Sequence, residues 1–202
     1  TIQRNRIPDL TYSNIAFWLL CFCLNIHKLF CGLNFRLGTM AFVSIYFSLG
    51  SNLGNREKNI EEALRRMDEA FEGHYTALSR LIETKPMGFS GGKFLNAVAL
   101  YRTFRPEIPA EDAAMEVLRK IKAIERAMGR IDTPEYDGTG NRIYHSRIID
   151  IDILFYGTDR IDIPDLTIPH KDIENRPFVM IPLQEVAKPS LKTAFPEYFS
   201  SK

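Results

Sequence analysis

The chain has 202 residues, enough for one ordinary domain with a sizeable core and a remainder. Its 26 basic residues are matched by 25 acidic ones, which excludes a global basic field for nucleic acid or an anionic membrane, so a charged ligand needs a local site. Three cysteines, Cys21, Cys23 and Cys31, lie before Met40 together with the only tryptophan, Trp18; their odd number excludes a disulfide framework, and the cysteine-free remainder predicts a cytoplasmic protein.

Residues 15–26, IAFWLLCFCLNI, form an apolar run shorter than the roughly 20 residues of a bilayer span. Arg4 and Arg6 precede it as they would in a signal peptide, but no small-residue cleavage site follows. Residues 1–39 are therefore read as an upstream extension, and residues 40–202, from MAFVSIYFSLGSN onward, as the folded domain. From Phe42 the chain alternates, Val43, Ile45, Phe47 and Leu49 against Phe42, Ser44, Tyr46 and Ser48, which predicts a half-buried strand. GSNLGN breaks it. Asn55 can cap a helix whose Ile60, Ala63, Leu64, Met67, Ala70 and Phe71 recur at helical spacing.

A second strand is predicted over residues 75–84, followed by the glycine-rich loop KPMGFSGGK, long enough to be a working loop. FLNAVALYRT is the third strand. Pro109 opens a second helix, with Ala114, Met115, Val117, Leu118, Ile121, Ile124 and Met128 as its buried stripe up to Gly129. A polar, turn-rich segment over residues 130–146 leads to the strand RIIDIDILFYG. Residues 161–189 then read as a short strand, a Pro-His turn and a last helix. This order predicts an α+β fold of ferredoxin-like βαββαβ form, an antiparallel sheet with both helices on one face, plus the short C-terminal strand and helix. Such a fold serves many functions, so function has to be read from a site.

The site begins with Asp150 and Asp152. On a strand they share a face, with Ile149, Ile151, Ile153 and Phe155 on the other. Two like charges side by side call for a cation or proton between them, and carboxylates at i and i+2 suit magnesium, which completes its shell with water and phosphate oxygens. Two such ions bridged by the aspartates would serve an in-line phosphoryl displacement, whereas the plain alternative is the solvated face of an edge strand. Arg147, Arg130, Arg142 and Arg176 offer planar donor forks for a polyphosphate, or simply surface charge. His170, after Pro169, can donate to phosphate or move a proton, or merely pack in its turn.

Four blocks, SLGSNLGN, ETKPMGF…FLNAVAL, RIIDIDILFYG and LTIPHKDIENRPFVMIPLQEV, together resemble the 6-hydroxymethyl-7,8-dihydropterin pyrophosphokinases of folate biosynthesis, over residues 42–188. The resemblance implies the ferredoxin-like fold and transfer of the β,γ-pyrophosphoryl group of ATP to the pterin hydroxymethyl oxygen, leaving AMP. It implies that Asp150 and Asp152 hold two Mg2+ ions bridging ATP and the pterin hydroxyl, and that Arg147, Arg130, His170 and Arg176 contact the polyphosphate. Glu125 would reach the nucleoside end of ATP. Asn96 would read the pterin's polar edge with the backbone near Thr84 and Met87, and Phe94 and Phe178 would border the flat ring. Asparagine is unfavoured inside a strand, which independently predicts a partner for Asn96, either a ligand or nearby backbone. A buried Phe94 equally fits ordinary core packing.

The chain departs from that family's pattern in places. YHSR stands where a tryptophan-glycine-proline often precedes the arginine, Phe94 where tyrosine is expected, and Asp165 where arginine is common. The longer segment over residues 132–143 prevents a one-to-one transfer of loop cations, with Arg142 the candidate there. The expected protein is a monomer that binds ATP and the pterin but neither nucleic acid nor membrane. Two alternatives stand beside it: a pterin-binding homologue without catalysis, and a ferredoxin-like RNA-binding module, against which the missing aromatic-rich motif and the acidic strand both count.

Overall fold

The computed structural model describes residues 41–86, 91–130, 135–136, 138–140, 142–143 and 145–200. The expected extension over residues 1–39 and Met87 lie outside these, as do the side chains of Glu135, Arg142 and Ile143. Alternation places β1 (Phe42–Ser51) at the centre of a five-stranded sheet. It pairs antiparallel with β4 (Phe94–Phe104) on one side and β7 (Asp150–Tyr156) on the other, and β2 (Ala77–Leu78) and β3 (Ile82–Thr84) both pair antiparallel with β4. The architecture is thus a mixed α/β one, an antiparallel sheet with packed helices.

Two helices cover one face. Asn55 caps α1 (Arg56–Ala70) as its position predicts, its side chain accepting from the Lys58 N–H at 3.1 Å. Pro109 precedes α2 (Ala110–Ala127). Ile60, Leu64 and Met67 of α1 and Val117, Ile121 and Ile124 of α2 close over Val43, Ile45, Phe47 and Leu49. At about 1.5–3 kcal/mol for each large apolar side chain fully buried, this face supplies much of the driving force for folding.

The second face corrects the expectation of a half-buried β1. Tyr46 is 1% exposed, because three C-terminal helices, α3 (Pro177–Val186), α4 (Pro189–Ala194) and α5 (Pro196–Phe199), lie on this face. Val179, Leu183, Leu191 and Phe195 pack there with Tyr46, Val98, Leu100 and Phe155, the Phe155 and Phe195 rings 5.0 Å apart. The sheet therefore separates two cores. The single last helix of the sequence reading becomes three, because Pro189 and Pro196 each open a new helix.

Two strands differ from their predicted form. The strand expected over residues 75–84 is split, and its register on β4 slips by one residue between Leu78 and Ile82. Ser79 sits in the gap; its N–H donates to the Val98 carbonyl and its hydroxyl accepts from the Val98 N–H, both at 2.9 Å, so the interrupted ladder keeps its bonds. In β7 the register on β1 also shifts: Phe47 pairs with Ile153 but Tyr46 with Phe155, leaving Leu154 as an extra residue. This bulge sends Phe155 to the second core and Tyr156 to the first, the reverse of strict alternation. Gly157, at φ +59°, then ends the strand.

The polar segment before β7 contains a short ladder, β5 (Glu135–Tyr136) with β6 (Arg142–Ile143). Beyond β7, one expected strand is a hairpin, β8 (Ile161–Ile163) with β9 (Leu166–Ile168), and the turn after it carries a cis Ile168–Pro169 bond. Among the described residues no helix is long and apolar enough to cross a membrane.

Candidate active site

Two rows of residues cross the sheet near the end of β1. Asn96 on β4, Gly50 on β1 and Asp150 on β7 are successive cross-strand partners, and the next row is Val98, Ser48 and Asp152. Partners directly opposite share a face, so the register itself brings Asn96 and both aspartates onto the second face of the sheet. The opposite face carries Ile149, Ile151 and Ile153 into the first core, which fixes the strand and leaves the acids no alternative orientation.

The two acids differ in surroundings. Arg147 Nη1 donates to Asp150 Oδ2 at 2.7 Å, and Arg130 Nη1 donates to Oδ1. Burial works to raise the Asp150 carboxyl, but the Arg147 and Arg130 guanidiniums, with Lys122 behind them, hold it below the ordinary carboxylate range. The guanidinium beside Asp152 is that of Arg176, its Nη1 at 3.8 Å, with His170 and Lys122 also acting on it. Burial and then the Asp150 charge push its carboxyl above that range. One acid is neutralised by arginine, and its neighbour is left short of positive charge.

Beneath them lies Glu125, fully buried. It follows Ile124 on the packed side of α2, which turns it under β7. Its Oε1 accepts from the Ile151 N–H at 2.6 Å and from Arg130, and its Oε2 accepts from Lys122 Nζ at 2.8 Å. Burial pushes its carboxyl up against the opposing pull of Lys122 and Arg130. The side chain expected to reach a nucleoside is buried here, where it satisfies the main-chain N–H between the two aspartates and links Arg130 to α2.

Arg147 is held through its backbone as well. Asn52, just past β1, accepts the Arg147 N–H at 2.6 Å and donates its own N–H to the Arg147 carbonyl at 3.1 Å. Its amide nitrogen donates to Gly92 O and Ser146 Oγ, both at 3.2 Å, joining the segment before β4 to the one before β7. Sequence reading missed Asn52, which stood only as part of a strand-breaking turn. It missed Lys122 as well, although its spacing of three from Glu125 was the available signal.

The bulge positions His170. The His170 N–H donates to the Leu154 carbonyl at 3.0 Å, and its Nδ1 accepts from the Asp172 N–H at 3.3 Å, which puts the neutral ring's proton on Nε2. His170 and Asp152 share a cleft of about 260 Å³ with Leu118, Lys122, Thr167 and Lys171, between α2 and the β8–β9 hairpin. Arg176, paired with Asp172 at 2.8 Å, stands 5.9 Å from the Phe178 ring. On the other flank Asn96 donates to Thr84 Oγ1 at 2.9 Å, and Asn96 and Phe94 both adjoin Gly50. The structure thus brings together Asp150, Asp152, Arg130, Arg147, His170 and Arg176, with Thr84, Phe94 and Asn96 beside them. Met87 and the Arg142 side chain lie outside the described residues.

The donor set fits a hard cation. Among the described residues no three His, Cys, Asp or Glu side chains form a metal-ligating group, so the chain offers two carboxylates and no closed cage. Magnesium is held this way, with water and phosphate oxygens completing its shell; a structural zinc site is not.

One consequence concerns acid. A carboxylate whose folded value is lowered adds stability that is fully present above about pH 4 and is lost as pH falls through the folded value. Arg147→Ala removes one guanidinium from Asp150 and raises that folded value. In urea titrations from neutral pH downward, the stability lost through Asp150 should therefore be smaller than in the parent and its loss complete at a higher pH, while neutral-pH stability is lower.

Residues 46–188 match the family described as 7,8-dihydro-6-hydroxymethylpterin-pyrophosphokinase (HPPK). A 2-amino-4-hydroxy-6-hydroxymethyldihydropteridine pyrophosphokinase of Porphyromonas gingivalis is 40% identical over 145 residues, 71% of this chain and 90% of that protein. The enzyme of the same description from Haemophilus influenzae is 32% identical over 146 residues, 72% of this chain and 82% of the relative. Among solved structures, an HPPK-DHPS in complex with substrates superposes with a TM-score of 0.51 at 15% identity, covering 78% of this chain and 44% of that one.

Proposed function

The chain belongs to the 7,8-dihydro-6-hydroxymethylpterin-pyrophosphokinase family, and we propose that the two rows crossing its sheet are where the family's reaction is carried out. The reaction is transfer of a pyrophosphoryl group from ATP to the hydroxymethyl group of 6-hydroxymethyl-7,8-dihydropterin, a step of folate synthesis. The pterin hydroxyl oxygen attacks the β-phosphorus, the bond from that phosphorus to the α,β-bridging oxygen breaks, and AMP departs with the bridging oxygen.

The observation that carries the assignment is the row Asn96, Gly50, Asp150. With strands spaced about 4.8 Å apart, its ends are roughly 10 Å from each other, commensurate with a bicyclic ring and its hydroxymethyl arm. Asn96, seated by Thr84, reads the ring's polar edge with paired donor and acceptor capacity, and Phe94 and Phe178 border its faces. The arm then points at the aspartates. Asp150 and Asp152 would hold magnesium, two ions on our reading, whose chemistry when bound is to offset phosphate charge and favour ionisation of the hydroxyl. Arg147, Arg130 and Arg176 spread the polyphosphate charge, and His170 donates from Nε2. The cleft beside Asp152 takes the nucleoside end, with Lys122 and Thr167 at its wall.

The strand order, with both long helices on one face, supports a ferredoxin-like reading of the fold. We further propose that residues 40–202 suffice as a cytoplasmic monomer and that residues 1–39 are not needed for turnover. The deciding assay mixes protein, ATP, magnesium and the hydroxymethyl dihydropterin. AMP should form in step with pterin diphosphate, and a protein begun at Met40 should match the full chain. ADP release, or no turnover, rejects the reading.

A further inference from the structure

We propose that Gly50 is a positioning residue for Asn96 and, through Asn96, sets how the pterin is held; this rests on the pterin reading of the row above. Glycine in the interior of a central strand is unfavourable, because it adds backbone entropy and contributes no packing. Four described glycines, Gly54, Gly129, Gly140 and Gly157, have a positive φ that favours glycine, but Gly50 is not among them. Backbone conformation therefore does not explain it, and the reason has to lie in what approaches it.

What approaches is the amide of Asn96 and the ring of Phe94. A Cβ built on Gly50 would lie 3.1 Å from Asn96 Oδ1 and 3.6 Å from Phe94 Cδ1. The ring contact is ordinary, but the amide contact is too close, so Asn96 would have to move. Asn96 is 3% exposed and its nitrogen is already tied to Thr84, so it has little freedom to yield without turning its amide away from that partner. Gly50 thus lets the amide lie down on β1, in line with Asp150 across the strand. The missing side chain fixes the depth and angle of the group that reads the pterin.

A purely structural glycine would disturb both substrates alike, whereas a seat for Asn96 acts on one. Gly50→Ala should raise KM for the pterin about tenfold and leave KM for ATP within about twofold, a loss of binding to one substrate. The decisive test is a double-mutant cycle with Asn96→Ala. If Gly50 acts through the amide, adding Gly50→Ala to Asn96→Ala changes the pterin KM by less than about twofold, because the colliding atom is gone. Should Gly50→Ala alone fail to fold, the double variant has the room to fold and its comparison with Asn96→Ala still decides. The same rise in both backgrounds, an equal rise in KM for ATP, or no change in Gly50→Ala overturns the proposal. Failure of the pterin reading itself is distinguishable, since the parent protein would then give no AMP.

Discussion

Asp152→Asn should lower turnover by about three orders of magnitude, through loss of charge facing the transferred phosphates, and should at the same time raise the unfolding temperature of the metal-free protein. The two signs come from one cause. Asp152 is a partly buried carboxylate beside Asp150, and its nearest guanidinium is 3.8 Å away, so without a cation its charge costs the fold stability. The amide has nearly the same shape and no charge. It relieves the repulsion but can no longer help hold magnesium. Calorimetry without metal, beside an AMP-release assay, checks both halves. A further distinction follows: magnesium with ATP should stabilise the parent against heat by mass action and should do so far less in the variant. An Asp152→Asn protein with full turnover would exclude a metal ligand at this position.

The second large effect is on folding. Arg130→Met should cost about 3 kcal/mol and lower the melting temperature by roughly 10 °C, because it removes one partner of a buried ion network. Arg130 bridges Glu125, which has no solvent exposure, and Asp150, which Arg147 also holds. Lys122 and Arg147 remain, but each then faces one carboxylate alone. Adding Glu125→Gln should recover part of the loss, since glutamine still accepts the Ile151 N–H and removes the buried charge, while Lys122, which loses its carboxylate, is partly exposed to water. It should not recover turnover if Arg130 also contacts the polyphosphate. Stability and activity measured on the same pair therefore separate the two duties of this arginine.

Much of this site was legible in the sequence because it depends on local order. Two acids spaced by one residue on a strand must share a face, and Asn55 before an amphipathic run must cap it. Both hold in the structure. What escaped depends on partners distant in sequence. Nothing in IDILFYG marks Leu154 as extra, because the shift exists only against β1. Glu125 carries the residue type of a ligand-binding acid, and only packing shows that it accepts the Ile151 N–H. The second core was missed for a similar reason: alternation in β1 predicts one apolar face, and Tyr46 of the other face is buried because the C-terminal helices pack against it. Asn52 and Gly50 look like punctuation until the strands around them are in register.

The extra residue in β7 can be viewed as a matter of parity. If Leu154 were deleted, Ile153, Phe155 and Tyr156 would follow one another in regular in, out, in order, each keeping the core it occupies now. By that count the sheet does not require the insertion. What the insertion adds is an outward carbonyl, and that carbonyl receives the His170 N–H. A chain lacking Leu154 would forfeit one buried leucine yet retain its strand pairing, while the turn bearing His170 would lose its tether beside Asp152. The irregularity is thus tied to the turn that carries His170 rather than to the pairing of the sheet.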